Sequence, residues 1–270
     1  MSAAPILLVG AGRMGGALLK GWVASGLGPV VVVEPMPSRE LKAFAKKHHI
    51  AIFADVRVVD SLRARAAVVA LKPQVLKTSA AALAPIARSG TLMLSIAAGT
   101  GTRTLRGAWG AKAKIVRAMP NTPGAIGRGI TALFAAKGLG PKDKALAQSL
   151  LAALGETVWV KTECEIDAVT AVSGSGPAYV FLLAEALAAA GRAEGLAPPL
   201  ADALARATVA GAGALLDADP AAPGDLRRAV TSPGGTTEAA LKVLMAKSGL
   251  EPLMRRAVSA AHRRAKALGS

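Results

Sequence analysis

The run from residue 6 to residue 16 constrains the fold of this chain more than any other stretch. It reads ILLVGAGRMGG, and an apolar helical pattern follows it over residues 17–23. A strand, a GxGxxG turn and a helix in this order are typical of a dinucleotide-binding unit, in which the glycines allow a tight turn, a close approach of pyrophosphate and close helix packing. The residues predicted to bind the dinucleotide at this turn are Gly10, Ala11, Gly12, Arg13, Met14 and Gly15.

Strand and helix patterns then alternate through the first half of the chain. Short apolar runs predict five further strands, at residues 30–33, 67–71, 92–96, 115–118 and 131–134. Helical patterns separate them, for example at residues 41–47 and 75–87. This alternation predicts an α/β fold with a doubly wound, mostly parallel sheet of the Rossmann type. In such sheets the ligand binds at the carboxyl ends of the strands.

The pattern changes at about Ile166, after which no strand is predicted. Long helical stretches at residues 178–191 and 200–218 are apolar on more than one face. Because a helix that is apolar all round must be buried, and few other helices remain to cover these two, a second subunit is expected to supply the missing surface. We therefore predict a dinucleotide-binding domain at 1–161 and an all-helical C-terminal dimerisation domain at 162–270, in a protein that is at least a homodimer.

The net charge of +16 is concentrated in the first predicted domain. Residues 162–270 carry 11 basic and 11 acidic side chains, so the whole excess lies in residues 1–161. Such an excess can steer anionic ligands, or it can simply be a solvated surface with no partner. With one tyrosine and four phenylalanines the chain has too few stacking residues for a single-strand platform. We predict a small-molecule substrate and no nucleic-acid partner.

Composition also indicates the compartment and excludes a metal site. No apolar run approaches the roughly 18 uncharged residues of a membrane span, and the N-terminus lacks a basic segment and a cleavage site. The chain is therefore expected to be soluble and cytoplasmic, without a membrane partner. Cys164 is the only cysteine, and the three histidines show no metal-ligand spacing, so no disulfide and no metal are expected.

Residues at the predicted strand ends indicate how the cofactor is held. Glu34 follows the second strand, where an acidic residue usually binds the ribose 2′-hydroxyl of NAD and repels the 2′-phosphate of NADP. Ser38 and Arg39 come soon after and could hold that phosphate instead. The cofactor is thus NADPH or NADH, and the basic surroundings favour NADPH slightly. Small residues and prolines after the next strands could form a rigid rim for a nicotinamide ring, or simple turns.

The segment TSPGGTTEAAL at residues 231–241 predicts an anion site in the second domain. A glycine turn enters an apolar helix there, which leaves the backbone N–H groups of Gly235, Thr236 and Thr237 without intrahelical partners at the positive end of the helix dipole. A small carboxylate fits such a site. The alternative is a helix start in which Thr236 or Thr237 is only an N-cap.

Six motifs together give the chain a resemblance to pyrroline-5-carboxylate reductase over essentially its full length. They are GAGRMG at 10–15, ALKPQ at 70–74, SIAAG at 95–99, VRAMPNTP at 116–123, DAVTAVSGSGPAYVF at 167–181 and LRRAVTSPGGTTEAAL at 226–241. The last two are highly specific to the family. The resemblance implies NAD(P)H-dependent reduction of 1-pyrroline-5-carboxylate to L-proline, the last step of proline biosynthesis, and a helical dimerisation domain that often assembles further as a ring of dimers (a decamer).

The resemblance also assigns roles to individual residues. It implies that the turn at residues 234–237 holds the substrate carboxylate, that the Thr237 hydroxyl bonds the ring nitrogen, and that Glu163 lies near the substrate. The substrate-binding residues expected on this basis are Ser232, Gly234, Gly235, Thr236, Thr237 and Glu163, with Thr237 as the catalytic residue. Further cofactor contacts are expected from Arg57, which stands where the family often has asparagine, and from Ala70, Leu71, Lys72, Pro73, Ala97 and Ala98.

Two other functions remain open from the sequence. One is a related reductase of the same architecture that acts on another imine or on a β-hydroxyacid. Enzymes of the β-hydroxyacid class normally have a lysine in the first long helix of the helical domain, and residues 178–191 contain none. The other is a non-catalytic nucleotide- or nucleic-acid-binding protein, for which the basic first half is the only indication.

Overall fold

A computed structural model describes residues 4–59 and 61–269, so the N-terminal segment on which the compartment prediction rests lies partly outside the described residues. The chain forms two compact units. The first unit contains the residues up to Gly174 together with those from Ala261 onward, and the second contains Ser175–Ala260. Each unit is built on a different secondary structure, a sheet in the first and helices in the second.

The first unit is organised around an eight-stranded sheet with strand order β3-β2-β1-β4-β5-β6-β7-β8. All strand pairs are parallel except β6 with β7, which confirms the predicted doubly wound, mostly parallel sheet. The strands are β1 (Ile6–Val9), β2 (Val30–Val33), β3 (Ala51–Phe53), β4 (Ala66–Val69), β5 (Leu92–Ser95), β6 (Lys114–Met119), β7 (Gly129–Ala135) and β8 (Gly155–Trp159).

Two of these strands, β3 and β8, were not predicted from the sequence. Strand β3 has three residues, and β8 contains Glu156 among partly buried neighbours. Both lie at the edges of the sheet, where one side of the strand has no neighbour and burial is incomplete. A short or polar edge strand leaves no strong apolar run in the sequence, which is why the pattern did not show them.

Helices of the first unit connect the strands. They are α1 (Arg13–Ala24), α2 (Arg39–Lys47), α3 (Pro73–Ser79), α4 (Ala84–Arg88), α5 (Thr102–Trp109), α6 (Pro141–Leu151) and α7 (Glu165–Val169). The single helix predicted at residues 75–87 is instead divided into α3, a 3₁₀ turn at Ala80–Leu83 and α4. Pro85 explains the division, because proline lacks the N–H needed inside a helix and lies here in the first turn of α4, where that N–H needs no intrahelical partner.

The apolar core of this unit lies on both faces of the sheet. In β1, Ile6 and Leu8 contribute to one cluster and Leu7 and Val9 to the other, as expected from the two-residue period of a strand. A buried strand flanked by helices on both faces therefore reads as a continuous apolar run, which is why β1 could be recognised so clearly.

The second unit is entirely helical in the part of the chain that the structure describes. Its helices are α8 (Gly176–Ala193), α9 (Pro198–Ala218), α10 (Pro223–Ala229), α11 (Thr236–Leu244) and the first part of α12 (Leu250–Gly269). Large apolar side chains remain exposed on α8, where Phe181 and Leu182 are each more than 60% exposed. The exposed apolar surface agrees with the prediction that these helices are apolar on more than one face.

The helical region begins close to the predicted boundary, yet the compact units divide later. Helix α7 starts at Glu165, but Ile166 and Ala171 are buried within the sheet-containing unit, so this unit extends to Gly174. The limits 1–161 and 162–270 therefore describe where the type of secondary structure changes, and they remain a prediction for the functional domains.

One described helical stretch, residues 165–193, is long and apolar enough to cross a membrane by length and composition. The expectation that no run approaches this limit was too strict here, because no charged residue lies between Asp167 and Glu185. The structure divides the stretch into α7, a π-helical turn at Thr170–Gly174 and α8. One such helix is weak evidence for a membrane span, since the same composition suits a helix that is buried between subunits.

Candidate functional site

The glycine turn after β1 leaves an open approach to the start of α1. Gly10 has φ +89°, and its N–H donates to Val33 O at 2.8 Å. A Cβ on Gly15 would lie 2.1 Å from Gly10 O, whereas a Cβ on Gly12 would meet no atom within 4 Å. The space in front of Gly12 and the tight contact behind Gly15 support the roles predicted for these glycines. A pyrophosphate can approach the backbone only where such space exists.

The first residues of α1 supply donors for an anion. Gly12 is the N-cap and provides no side-chain hydrogen bond, so the first N–H groups of the helix are not capped by it. Arg13 is exposed, while Met14 packs against the core. An uncapped helix N-terminus with an exposed arginine is suited to phosphate groups, both through its N–H groups and through its dipole.

Sheet topology brings most of the predicted cofactor residues to the same end of the sheet. Four parallel strands, β1, β2, β4 and β5, have their carboxyl ends there. These ends are followed by the glycine turn, Glu34, residues 70–73 and residues 97–98. The chain order of the strands reverses between β1 and β4, and there Gly10 lies so close to Ala70 that a Cβ would be 2.8 Å from Ala70 O. Ligands of doubly wound sheets bind at this type of reversal.

Glu34 is fixed in place at the end of β2. Its Oε2 accepts a hydrogen bond from Ala11 N–H at 2.8 Å, and its Oε1 accepts one from Met36 N–H at 3.2 Å. The two backbone N–H groups hold the carboxylate of Glu34 next to the glycine turn. This position suits an acceptor for ribose hydroxyls and disfavours a phosphate at the same place.

The alternative phosphate ligands, Ser38 and Arg39, start helix α2. Ser38 is its N-cap, and its hydroxyl accepts from Leu41 N–H at 3.1 Å, while Arg39 is exposed. Hydrogen bonding from the Ser38 side chain also lowers the pKa of Glu40. The cap already uses one lone pair of the Ser38 hydroxyl. A cavity of about 480 Å³ lies between α1 and α2, and its polar lining comes from Arg13, Lys20, Ser38 and Glu40.

Arg57, the predicted ribose contact, is paired with a neighbour. Its Nε donates to Asp55 Oδ2 at 2.9 Å and to Oδ1 at 3.1 Å. The hydrogen bond from Arg57 lowers the pKa of Asp55 to about 2. The guanidinium is largely exposed, so a contact between Arg57 and the cofactor stays a prediction that requires this ion pair to be shared or exchanged.

The residues predicted to line the nicotinamide follow the ends of two neighbouring strands, β4 and β5. Lys72 is the N-cap of α3 and Pro73 its first residue, and Ala70 and Leu71 pack partly into the core. On the neighbouring strand end Ala97 is buried, and Ala98 is half-buried.

Gly99 joins this rim to the end of α12. It has φ +66°, and a Cβ on it would lie 2.9 Å from Leu268 Cβ. The C-terminal turn of α12 therefore covers the loop that carries Ala97 and Ala98, and both belong to the first unit.

Gly99→Ala is expected to lower the free energy of unfolding by about 1 to 3 kcal/mol, because alanine is strained at this φ and its methyl group overpacks against Leu268. The matched control is Gly107→Ala in α5, where a Cβ meets nothing within 4 Å. It should stabilise by about 0.5 to 1 kcal/mol through helix propensity. Urea unfolding of both variants tests this, and equal stabilities would contradict it.

The turn at residues 232–237 lies in the second unit and starts α11. Gly235 is the N-cap, and no side chain caps the helix, so the alternative that Thr236 or Thr237 is the N-cap is wrong. Gly235 N–H donates to Ser232 O at 3.0 Å, an acceptor that lies before the helix and that the sequence did not indicate. Gly234 N–H donates to Glu238 Oε2 at 2.7 Å. Among the described residues no acceptor is recorded for the N–H groups or hydroxyls of Thr236 and Thr237.

Glu163 lies in the first unit and has contacts that the sequence did not indicate. Its Oε1 accepts from Thr102 N–H and its Oε2 from Thr102 Oγ1, both at 2.6 Å. The buried Arg117 pairs with Glu163 and with Asp167. Sequence reasoning missed Arg117, although one charged residue inside the apolar run IVRAM is a recognisable signal that a buried partner must exist. These contacts favour a structural role for Glu163 over the predicted contact with substrate.

No group of three or more His, Cys, Asp or Glu side chains in residues 4–59 and 61–269 is placed to hold a metal ion. Cys164 is an exposed free thiol.

Comparison with known proteins gives the same assignment over the whole chain. Residues 163–268 match the family model for pyrroline-5-carboxylate reductase dimerisation, and residues 5–99 match that for NADP oxidoreductase coenzyme F420-dependent. A pyrroline-5-carboxylate reductase from Pseudomonas aeruginosa is 38% identical over 264 residues, which cover 98% of this chain and 96% of the relative. The chain belongs to the pyrroline-5-carboxylate reductase family. Its resemblance to that family is thereby confirmed.

Solved structures of the family share the fold. A pyrroline-5-carboxylate reductase from Coxiella burnetii has a TM-score of 0.91 at 36% identity, with both chains covered completely. A pyrroline carboxylate reductase from Plasmodium falciparum, solved with NADP bound, has a TM-score of 0.83 at 27% identity, again over both complete chains.

Membership of the family decides between the functions that the sequence left open. The chain is an NAD(P)-dependent oxidoreductase that reduces 1-pyrroline-5-carboxylate in proline biosynthesis, and it contains the dimerisation region of the family. The two alternatives, a reductase for another substrate and a non-catalytic binding protein, have no support from these comparisons.

Proposed function

We propose that the turn before α11 binds the substrate and that Thr237 acts on its ring nitrogen. The observation that carries this proposal is that, within residues 4–59 and 61–269, the N–H groups and hydroxyls of Thr236 and Thr237 have no hydrogen-bond partner at a helix N-terminus without a side-chain cap. The two N–H groups donate to the substrate carboxylate, with the helix dipole behind them. Gly235 contributes less, because its N–H already bonds Ser232 O. The exposed Ser232 hydroxyl and the backbone of Gly234 complete the turn.

The Thr237 hydroxyl contacts the part of the substrate that reacts, the C=N bond. As a group that can both donate and accept, it holds the ring nitrogen while its own helix fixes its position. The cofactor supplies the hydride to the imine carbon, and the electron pair of the C=N bond moves to nitrogen. A protonated imine accepts hydride better than a neutral one, and the hydroxyl oxygen can accept from its N–H; after hydride transfer the same hydroxyl can donate to the lone pair on nitrogen. Catalysis then depends mainly on orientation and electrostatics.

The test of this function is turnover with purified protein. Oxidation of NADPH and of NADH is followed by absorbance after addition of pyrroline-5-carboxylate, and proline is identified as the product. Turnover that depends on the substrate is the expected result. Absence of turnover with both cofactors, in protein shown by circular dichroism to be folded, would overturn the activity on which the proposal rests, and a wild-type kcat/KM in Thr237→Ala would overturn the role of Thr237.

For the cofactor we propose that the carboxyl ends of β1, β2, β4 and β5 bind both NADPH and NADH. NADPH is preferred, and Glu34 makes this preference smaller. The relative from Plasmodium falciparum was solved with NADP bound, and residues 5–99 of this chain match a family of NADP oxidoreductases. Arg13 and Lys20 line the cavity beside the glycine turn and can attract a 2′-phosphate. The anchored carboxylate of Glu34 acts against it.

Glu34→Ala is expected to raise the ratio of kcat/KM for NADPH to that for NADH by about tenfold or more, since removal of one nearby charge changes binding by at least about 1.4 kcal/mol. The substitution also releases the N–H groups of Ala11 and Met36, which can then donate to the phosphate. The matched control is Glu156→Ala, which removes an exposed carboxylate from the edge strand β8 and should leave the ratio unchanged. An unchanged ratio in Glu34→Ala would remove Glu34 from cofactor selection.

We further propose that the protein is a soluble, cytoplasmic homodimer, assembled through the helical unit and further into a ring of dimers. The exposed apolar side chains of α8 and α9 and the match of residues 163–268 to the dimerisation family support this assembly. Light scattering coupled to size exclusion should give a mass that is an even multiple of the monomer. A monomer at micromolar concentration would contradict it.

A further inference from the structure

A buried ion-pair cluster lies next to the loop that follows β5. Arg117 lies on β6 directly beside Ser95, the last residue of β5. Its side chain is 5% exposed, and its guanidinium pairs with Glu163 (Nη1 to Oε1, 3.4 Å) and with Asp167 (Nη2 to Oδ1, 3.1 Å). A buried arginine requires fixed anionic partners, because its desolvation is otherwise uncompensated. Arg117 therefore holds Glu163 in a defined position.

Glu163 in turn holds the start of α5 in place. Its two oxygens accept from the N–H and from the hydroxyl of Thr102, the first residue of the helix. The N-cap, Gly101, has no side chain to do this. A carboxylate from a distant part of the chain thus replaces the local cap and also interacts favourably with the helix dipole.

The loop that ends at Thr102 is the one predicted to line the nicotinamide. Residues 96–101 connect β5 to α5 and include Ala97 and Ala98. On another side the loop is covered by Leu268, which leaves no room for a side chain at Gly99. The loop is therefore held at its middle by packing and at its end by the Glu163 carboxylate. It has few ways to move as long as both contacts persist.

We propose that Glu163, oriented by Arg117, is a positioning residue for hydride transfer. It fixes residues 96–101 so that Ala97 and Ala98 hold the nicotinamide ring at the carboxyl end of β5. In this role Glu163 touches neither substrate nor cofactor and acts through Thr102. The inference rests on the proposed cofactor site, and it replaces the substrate contact of Glu163 that the family resemblance implies.

The test combines Glu163→Gln, Thr102→Val and the double variant, with wild type measured first. Valine keeps the shape of threonine and removes only the hydroxyl. We expect each single variant to lower kcat by about five- to tenfold and the double variant to lose no more than the more severe single one. Thr102→Val removes one of the two hydrogen bonds to Glu163 and Glu163→Gln removes the charge behind both, so both changes weaken the same link. The affinity for NADPH and the KM for pyrroline-5-carboxylate should stay within about threefold.

Two readouts report on the nicotinamide itself. With NADPH deuterated at C4 of the nicotinamide, the isotope effect on kcat should rise in each single variant, because a misplaced ring slows hydride transfer relative to the other steps. The fluorescence of bound NADPH should shift toward that of free NADPH, and this needs no turnover. A variant that merely lost stability would change its unfolding temperature without changing either readout.

Three results would overturn the inference. One is a normal kcat in Thr102→Val, another is a multiplicative loss in the double variant, and the third is an effect of Glu163→Gln confined to the KM for pyrroline-5-carboxylate. The last pattern would return Glu163 to the substrate site. Failure of the wild type to oxidise NADPH with pyrroline-5-carboxylate would be a failure of the proposed function instead, and the NADPH fluorescence of the variants would still test the positioning role. If Glu163→Gln does not fold, Thr102→Val alone decides.

Discussion

Gly15→Ala is expected to remove NAD(P)H binding and to lower the free energy of unfolding by about 3 kcal/mol or more, at the upper end of what overpacking costs. The new methyl group would lie 2.1 Å from Gly10 O, and no side-chain rearrangement can relieve a clash with backbone. Helix α1 would have to move away from β1, and the glycine turn would lose its shape. Urea unfolding and fluorescence titration with NADPH measure both effects.

Two neighbouring glycines serve as matched controls for this prediction. Gly12→Ala should unfold like the wild type, because its Cβ meets no protein atom within 4 Å, yet it should bind NADPH about tenfold more weakly or worse by obstructing the pyrophosphate. Gly16→Ala makes only an ordinary contact with Ala11 O at 3.5 Å, and it should change neither property. Wild-type stability and affinity in Gly15→Ala would show that the close approach of helix to strand is not required.

Thr237→Ala is expected to lower kcat/KM for pyrroline-5-carboxylate by about tenfold or more, because loss of one hydrogen bond to a charged group costs roughly 1.5 to 3 kcal/mol. The hydroxyl caps no helix, so its removal should leave the unfolding temperature unchanged. Steady-state kinetics with saturating NADPH measure the effect.

Variants at Thr236 and Thr237 distinguish the contribution of the Thr237 hydroxyl from that of the backbone N–H groups. Thr236→Ala keeps both N–H groups of the turn and, since Thr236 is more exposed than Thr237, should lower kcat/KM less. Thr237→Ser should retain most of the activity, because it keeps the hydroxyl. If Thr237→Ala matches the wild type, Thr237 has no part in the mechanism and the backbone alone holds the substrate.

The cofactor half of the site could be predicted because its residues follow strands whose apolar runs are continuous. Strands β1, β2, β4 and β5 are buried on both faces, so their ends, and the residues after them, can be read from the sequence. Because the strands pair in parallel, their carboxyl ends lie at the same end of the sheet, and no knowledge of the tertiary structure is needed to expect this. The edge strands β3 and β8 and the division of the helix at Pro85 were missed, because short and partly exposed elements leave weak patterns.

The role of Glu163 could not be predicted in the same way. Glu163 and Thr102 are separated by 61 residues, and no periodicity in the sequence links a carboxylate to a helix start so far away. The partner of Gly235 N–H was missed for a different reason. The turn folds back so that this N–H bonds Ser232 O, and a sequence rich in glycine and proline can form several types of turn, only some of which make this bond.

The sequence by itself determined the doubly wound sheet, the glycine turn, the helical second half and the family, because these depend on local periodicity and on short motifs whose chemistry is contained in neighbouring residues. Tertiary structure alone decided which donors and acceptors are already used. It showed that Glu34 is held by Ala11 and Met36, that Glu163 is held by Thr102 and Arg117, and that the hydroxyls of Thr236 and Thr237 are not used as caps. A hydrogen bond forms only when the donor and the acceptor lie about 3 Å apart in a suitable orientation, and only the folded backbone sets these distances.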